Sequence, residues 1–385
     1  MSRVFHPGHP QEGFAWADRW QQAYSMERLP LAAATGRVLA QDLIARYDIP
    51  SAAHCTSDGY ALQAADTLGA SDYGPLPLQF DAAATAIGRG RAALVSDGDL
   101  LPPGADAVLP IEDGDLSAGV LEVAGSLATG EGVIRQGEEC RAGETLLAAG
   151  RRVRFQDLAL LALAGVNEVQ VRLRPRVRIA LAGRFDYDAD GPMLAALVKR
   201  DGGVTDSVDV TPEETALVDA LLQPDADLVL VAGGTGYGAR DFAVHALQSC
   251  GSVHLDGVLI HPGGGAVLGQ VGATPVVLLP GTPLACLCAY DLLAARVLRR
   301  WTGRPQVLPY RQRHMRLTRK VVSGIGRLEL ARMKISGDTA EPIATAEGRI
   351  LASAVQADGF VLVPEHSEGF ARDSWVDMYL YDEYD

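Results

Sequence analysis

Cysteine is scarce in this 385-residue chain and it is scattered: the five are Cys55, Cys140, Cys250, Cys286 and Cys288. The number is odd and no C-x-x-C spacing occurs, so neither a disulfide framework nor a zinc knuckle is supported. Reduced thiols in a cytoplasmic protein are the expectation. Long apolar runs are also missing, so no membrane span is expected. The opening MSRVFHPGHPQEGF lacks the apolar stretch of a secretory leader. Positive charge is in deficit: 34 Lys and Arg stand against 48 Asp and Glu, a formal net charge of -14. That balance argues against a general nucleic-acid binder, while leaving room for a local basic pocket that takes an anion.

What remains fits a globular protein, with 48% hydrophobic and 21% charged residues. The chain is too long for one ordinary core, and two to four domains are expected. Helical periodicity covers Trp16–Leu43 and returns at Gln156–Ala164, followed by a strand at Glu168–Val171. Short strands at Tyr60–Leu62, Ala105–Leu109 and Val120–Val123, set among many Gly, Pro and Asp residues, predict a small β-rich domain. From Val177 the pattern alternates: strands at Val177–Leu181, Leu228–Val231 and Val276–Leu279, and helices at Pro192–Arg200, Thr211–Leu222 (capped by Thr211) and Leu284–Trp301. Such alternation predicts a parallel sheet covered by helices. Short strands resume after Thr302–Pro305, clearest at Val361–Val363 and Trp375–Tyr381. The expected organisation is an N-terminal helical and linker domain (14–45 with 133–172), a small β-rich domain (46–132), an α/β domain (173–303) and a C-terminal β domain (304–385).

The most telling stretch is Asp227–Asp241, DLVLVAGGTGYGARD. A buried strand runs into Gly233, Gly234, Thr235, Gly236 and Gly238, and Asp241 opens a helical segment. Glycines after a strand let backbone approach an anion, whose charge the turn amides and the next helix N-terminus can hold. The spacing is neither the dinucleotide fingerprint nor a Walker loop. Pro280, Gly281, Thr282 and Pro283 also follow a strand, so both turns should share one sheet edge.

Several segments occur in a set order: GRVLAQDL, IPSAAHCTSDGYAL, LPPGADAVLPIED, IRQGEECRAGETLLAAG, DADGPML, AGGTGYGARD and LPGTPLA. Together they resemble the molybdopterin molybdenumtransferase family, the molybdenum insertases related to the gephyrin E domain. The resemblance covers about Trp16 to Leu380. It implies an elongated, four-domain homodimer whose α/β domain has a molybdopterin-binding-like fold. It implies that adenylylated molybdopterin and molybdate give molybdenum cofactor and AMP, with magnesium as the divalent cation. It also implies molybdopterin as ligand and contact with a molybdoenzyme or another cofactor-biosynthesis protein. A phosphate suits the glycine turn, a pyrophosphate link suits a carboxylate-held metal, and molybdate needs cationic or amide donors.

By that resemblance, Asp58, Asp188 and Asp241 are the catalytic candidates, and with Asp190 they form the metal-ligand set. Gly233, Gly234, Thr235, Gly236, Gly238, Pro280, Gly281, Thr282 and Pro283 are the pterin- and phosphate-binding candidates. Asp106 reads as a turn residue. Glu112 and Asp113 read as a strand end, where only one of two adjacent side chains can face a site. The pattern also has departures. Ala53, Cys55 and Asp97 replace family residues, and the family TGDE is Ala182-Gly183-Arg184-Phe185. Gly236 stands at a serine position, and the PGKP lysine is lost in Pro262-Gly263-Gly264-Gly265. These losses open a second expectation: an impaired member that binds molybdopterin or a molybdoenzyme as carrier or scaffold.

Overall fold

The structure, a computed structural model, describes residues 6–20, 25–183, 188–238, 241–343 and 351–384. The chain divides into two compact units, Arg28–Val171, and Met1–Glu27 with Arg172–Asp385. The helix expected over Trp16–Leu43 is not continuous. Helix α1 covers Pro10–Arg19, with Pro10 at the first position, where its missing N–H is no loss. Met26–Pro30 is a strand paired with Glu168–Arg172. Pro30 accounts for this: proline is barred from helix interiors, and the residue before it is pushed towards extended backbone. Helix α1 belongs to the second unit, where Arg296 grips Asp18 through two bonds of 2.7 Å.

Within residues 28–171, six strands form one sheet: β1 Gly59–Leu62, β2 Leu76–Phe80, β3 Arg91–Val95, β4 Ala107–Pro110, β5 Gly114–Ser117 and β6 Val120–Val123. Their order is β4-β1-β3-β2-β6-β5. The β-rich domain expected here is present, its core built on Tyr60, Leu62, Leu78, Leu121 and Val123. Helix α2, Phe155–Leu163, carries at its third position a buried Asp157 whose Oδ2 accepts the Arg154 N–H at 2.9 Å. The same carboxylate accepts two bonds from Arg151, at 2.7 and 3.1 Å. That pairing outweighs burial and holds Asp157 at a pKa of about 2.

The second unit contains a six-stranded sheet of β7 Arg176–Ala182, β8 Val204–Thr211, β9 Leu228–Ala232, β10 Ser252–Asp256, β12 Val267–Val271 and β13 Thr274–Leu279. Its order is β8-β7-β9-β13-β12-β10, and the intervening β11, Ile260–His261, pairs elsewhere. The first four strands are parallel, as the alternation predicts. Strand β12 is antiparallel to β13 because Gly272-Ala273, with Gly272 at φ +56°, makes a two-residue hairpin between them, and β10 pairs antiparallel with β12. Thr211 is not a helix cap. It ends β8, its hydroxyl donates to the Leu181 carbonyl at 2.9 Å, and helix α4 starts at Glu214.

Helix α3 covers Asp190–Arg200 and α5 covers Ala243–Cys250. The long helix expected at Leu284–Trp301 runs Pro283–Thr302 in three parts: α6 Pro283–Ala289, a π turn at Tyr290–Ala294, and α7 Ala295–Thr302. The C-terminal domain closes a ring of β14 Tyr310–Leu317, β16 Leu328–Ser336, β17 Thr339–Pro342, β18 Gly359–Val363 and β20 Trp375–Tyr384, with β11 added at β16. A separate two-stranded ribbon pairs β15, Val321–Val322, with β19, Gly369–Phe370. A buried ionic cluster ties the α/β helices to this barrel. Arg200 bonds Asp291 at 2.5 Å and Asp201 at 2.8 Å, and the Tyr310 hydroxyl donates to Asp291 at 2.7 Å.

Candidate functional site

Strands β7, β9 and β13 are consecutive neighbours and parallel, so the loops leaving their carboxyl ends lie side by side. These loops carry Asp188 and Asp190, Gly233–Gly238, and Pro280–Pro283. Ligands of open α/β sheets bind beyond this edge. The Gly233 N–H donates to the Leu279 carbonyl at 2.9 Å, tying the two turns together. A Cβ on Gly281 would lie 3.0 Å from Gly233 Cα, so close that the neighbouring turn would have to give way. A third turn joins them: a Cβ on Gly265 would lie 3.6 Å from Thr235 Oγ1 and 3.9 Å from Pro280 Cγ. Gly265 was not among the sequence candidates. The glycine run at 263–265 was its signal, read there only as a lost lysine.

The glycines of the first turn do different jobs. Gly234 has φ +67°, and a Cβ there would meet the Ala243 Cβ at 3.0 Å and the Ala182 Cβ at 3.3 Å. It therefore serves packing between β7, the turn and α5, whose Ala243 N–H bonds the Gly234 carbonyl at 3.0 Å. Gly236 and Gly238 accommodate Asp241: added Cβ atoms would stand 2.6 and 2.9 Å from its Oδ2. Asp241 Oδ2 accepts the Gly238 N–H at 2.7 Å and so closes the loop. Thr235 is buried at 7% exposure, while Gly281 and Thr282 are exposed. Thr282 is the N-cap residue of α6 but makes no side-chain capping bond, and Pro283 takes the first helical position.

Asp188 and Asp190 are brought together at the start of α3. The exposed Asp188 accepts the Gly191 N–H through Oδ1 at 2.7 Å. Asp190 is buried, and among the described residues its Oδ1 has no hydrogen-bond partner. Desolvation, with the Asp188 charge beside it, raises the Asp190 pKa to about 6. Arg184 and Phe185 lie outside the described residues.

Asp58 belongs to the other unit. It is exposed on the β-rich domain, where its Oδ1 accepts the Asp97 N–H at 3.0 Å. Asp106 is a turn residue, as expected, accepting the Ala64 N–H at 2.6 Å. Glu112 and Asp113 are not a strand end: they sit on an exposed 3-10 turn, Ile111–Asp113, so strand alternation does not govern them. Among the described residues no group of three or more His, Cys, Asp or Glu could hold a metal. Asp188, Asp190 and Asp241, which share one unit, therefore do not make such a group within those residues. Among the described residues, no helix is long and apolar enough to cross a membrane.

A glycine turn and a Pro-Gly turn meeting at a parallel-sheet edge define an α/β domain suited to holding an anion. Three family models match the chain in succession: MoeA N-terminal region (domain I and II) over 15–165, probable molybdopterin binding domain over 178–300, and MoeA C-terminal region (domain IV) over 314–381. The molybdopterin molybdenumtransferase 2 of Mycobacterium tuberculosis is 29% identical over 374 residues, covering 88% of this chain and 90% of that protein. The molybdopterin molybdenumtransferase of Staphylococcus epidermidis is 25% identical over 376 residues, covering 90% and 88%. A solved structure of a molybdopterin biosynthesis MoeA protein from Pyrococcus horikoshii superposes with a TM-score of 0.81 at 25% identity, covering 98% of this chain and 100% of that one. The chain belongs to the MoeA family of molybdopterin molybdenumtransferases.

Proposed function

We propose that this chain acts in molybdenum cofactor biosynthesis as a cytoplasmic molybdopterin molybdenumtransferase, inserting molybdate into adenylylated molybdopterin with release of AMP. The convergence of Gly233, Thr235, Gly265, Pro280 and Gly281 on one sheet edge carries the reading. Small residues there leave room for a phosphate to approach turn amides. The Thr235 and Thr282 hydroxyls would orient the pterin side of the ligand.

Asp188 and Asp190 are the proposed ligands of a divalent cation, magnesium. A buried carboxylate oxygen without a partner among the described residues, beside a second carboxylate, is the donor chemistry that a hard cation fits. When bound, the cation would offset charge on the pyrophosphate link. Asp241 would hold the glycine loop closed, and Asp58 would act from the β-rich domain. A homodimer is the proposed working assembly.

One observation favours a second reading, a carrier or scaffold that binds molybdopterin without turning it over. The segments 233–238, 262–265 and 280–283 contain no Lys or Arg, so molybdate would meet only amides and hydroxyls there. Incubation of the purified chain with adenylylated molybdopterin, magnesium and molybdate separates the two. AMP release with active cofactor supports the transferase. Molybdopterin binding without AMP supports the carrier, and absence of binding overturns both.

A further inference from the structure

The β15–β19 ribbon stands outside the closed barrel of the C-terminal domain, and no other strand pairs with it among the described residues. Two cavities of about 740 and 680 Å³ adjoin there, sharing Lys320, Val321, Val322 and Ala371. They form one groove along the ribbon.

Its charge is one-sided. Arg319 and Lys320 line it, are exposed, and make no ion pair among the described residues. Among the described residues the ion pair of Arg372 is with Asp373 alone, at 3.6 Å and exposed on both sides, a contact worth little. Of the two acidic lining residues, Glu329 is already held by Arg327 at 3.0 Å and Ser323 at 2.9 Å, which leaves Glu368. The groove is also apolar where strand alternation turns side chains outward. Val321 is buried, whereas Val322 is 65% and the neighbouring Ile325 is 66% exposed.

Exposed cations beside exposed aliphatic side chains, along a short ribbon with open edges, match an extended chain that brings carboxylates and apolar residues in alternation. A small anion would gain little from cations this exposed. Nucleic acid needs many phosphate contacts and would meet the repulsion of a chain carrying -14. We infer that this groove docks an extended, acidic segment of a partner protein, with apolar residues alternating between its carboxylates.

The test uses the full chain at low salt and a fluorescent peptide alternating Glu or Asp with Val or Ile. Saturable binding is expected, weakening several-fold at about 0.3 M salt as screening sets in. Arg319→Glu with Lys320→Glu should lower affinity about tenfold or more, and Arg319→Gln with Lys320→Gln by less. Val322→Ser with Ile325→Ser should weaken binding while leaving the salt dependence unchanged. Among the described residues none of these contacts the glycine-turn site, so AMP release should stay at the wild-type level, and failure here is distinguishable from failure of the transferase reading. Four outcomes overturn the inference: no saturation by about 1 mM peptide, weaker than the usual range of specific interfaces; equal binding of a Lys-for-Glu peptide; full affinity in the charge-reversed variant; or displacement by millimolar phosphate or molybdate.

Discussion

The β-rich domain and the α/β domain display Gly and Asp motifs of equal prominence in the sequence, yet use them differently. In the first, Asp106, Asp66 and Gly104 are consumed internally. Asp106 caps Ala64 at 2.6 Å, Asp66 accepts the Gly90 N–H at 2.5 Å, and Gly104 lies against the Ile87 carbonyl. In the second, one group is left over. Among the described residues the buried Asp190 Oδ1 lacks a partner, while Gly265 and Gly281 converge with Thr235 and Gly233 at an open sheet edge. A motif that satisfies itself builds a fold, and one that leaves a buried donor or acceptor unused points to a ligand.

The sharpest test of that contrast is Gly234, which belongs to the ligand loop but serves packing. Gly234→Val should lower stability by about 3 kcal/mol, because a β-branched residue at φ +67° would also press on Ala182 and Ala243. Chemical denaturation checks this, and wild-type stability would return Gly234 to the ligand face. Asp157→Asn, in the other unit, should cost about 2 kcal/mol at pH 7 by breaking a buried carboxylate–arginine pair. Its folded pKa is depressed, so the stabilisation is complete above the ordinary carboxylate value and vanishes as pH falls through about 2. A gap between variant and wild type that persists at that pH would contradict the pairing.

Asp106→Ala should cost about 1.5 kcal/mol by leaving the Ala64 N–H without its acceptor. Molybdopterin affinity should not change, and a loss of affinity measured by titration calorimetry would move this turn into the site. The smallest effect is expected at Asp190. Asp190→Asn should raise stability at pH 7 by about 1 kcal/mol, since it removes an ionised, unsatisfied buried carboxylate. The folded pKa is raised to about 6, so the penalty relieved is full above that value and gone below the ordinary carboxylate pKa. The same variant should lose magnesium-dependent AMP release, whereas a variant neutral in both assays would make Asp190 an ordinary core residue.

Strands β7, β9 and β13 were legible because a strand buried on both faces reads as an unbroken aliphatic run. The edge strand β8 was not: VTDSVDVT alternates around exposed Val204, Val208 and Val210, and its Asp and Ser residues masked the period of two. Met26–Pro30 was lost to a helical reading that gave Pro30 too little weight. The two site turns and their common edge followed from strand order. The place of Gly265 beside Thr235 did not, because it depends on a loop between β11 and β12 folding back across the edge. Nor did the state of Asp190, since burial is decided by residues far away in sequence. The barrel closure was equally hidden: its parallel pair joins Arg316 and Leu317 to Thr339 and Ala340, across the two intervening strands β15 and β16.

The π turn at Tyr290–Ala294 gives the long helix one residue more than an α turn would hold. Everything beyond it is therefore rotated by about 100° relative to an uninterrupted helix. With that offset, Asp291 faces Arg200 and Tyr310, while Arg299 reaches Asp201 and the Trp301 indole reaches the Trp20 carbonyl. An uninterrupted helix could keep only one of these two sets in phase. The extra residue acts as a phase shifter, and losing it would detune the α1 contact and the barrel contact against each other.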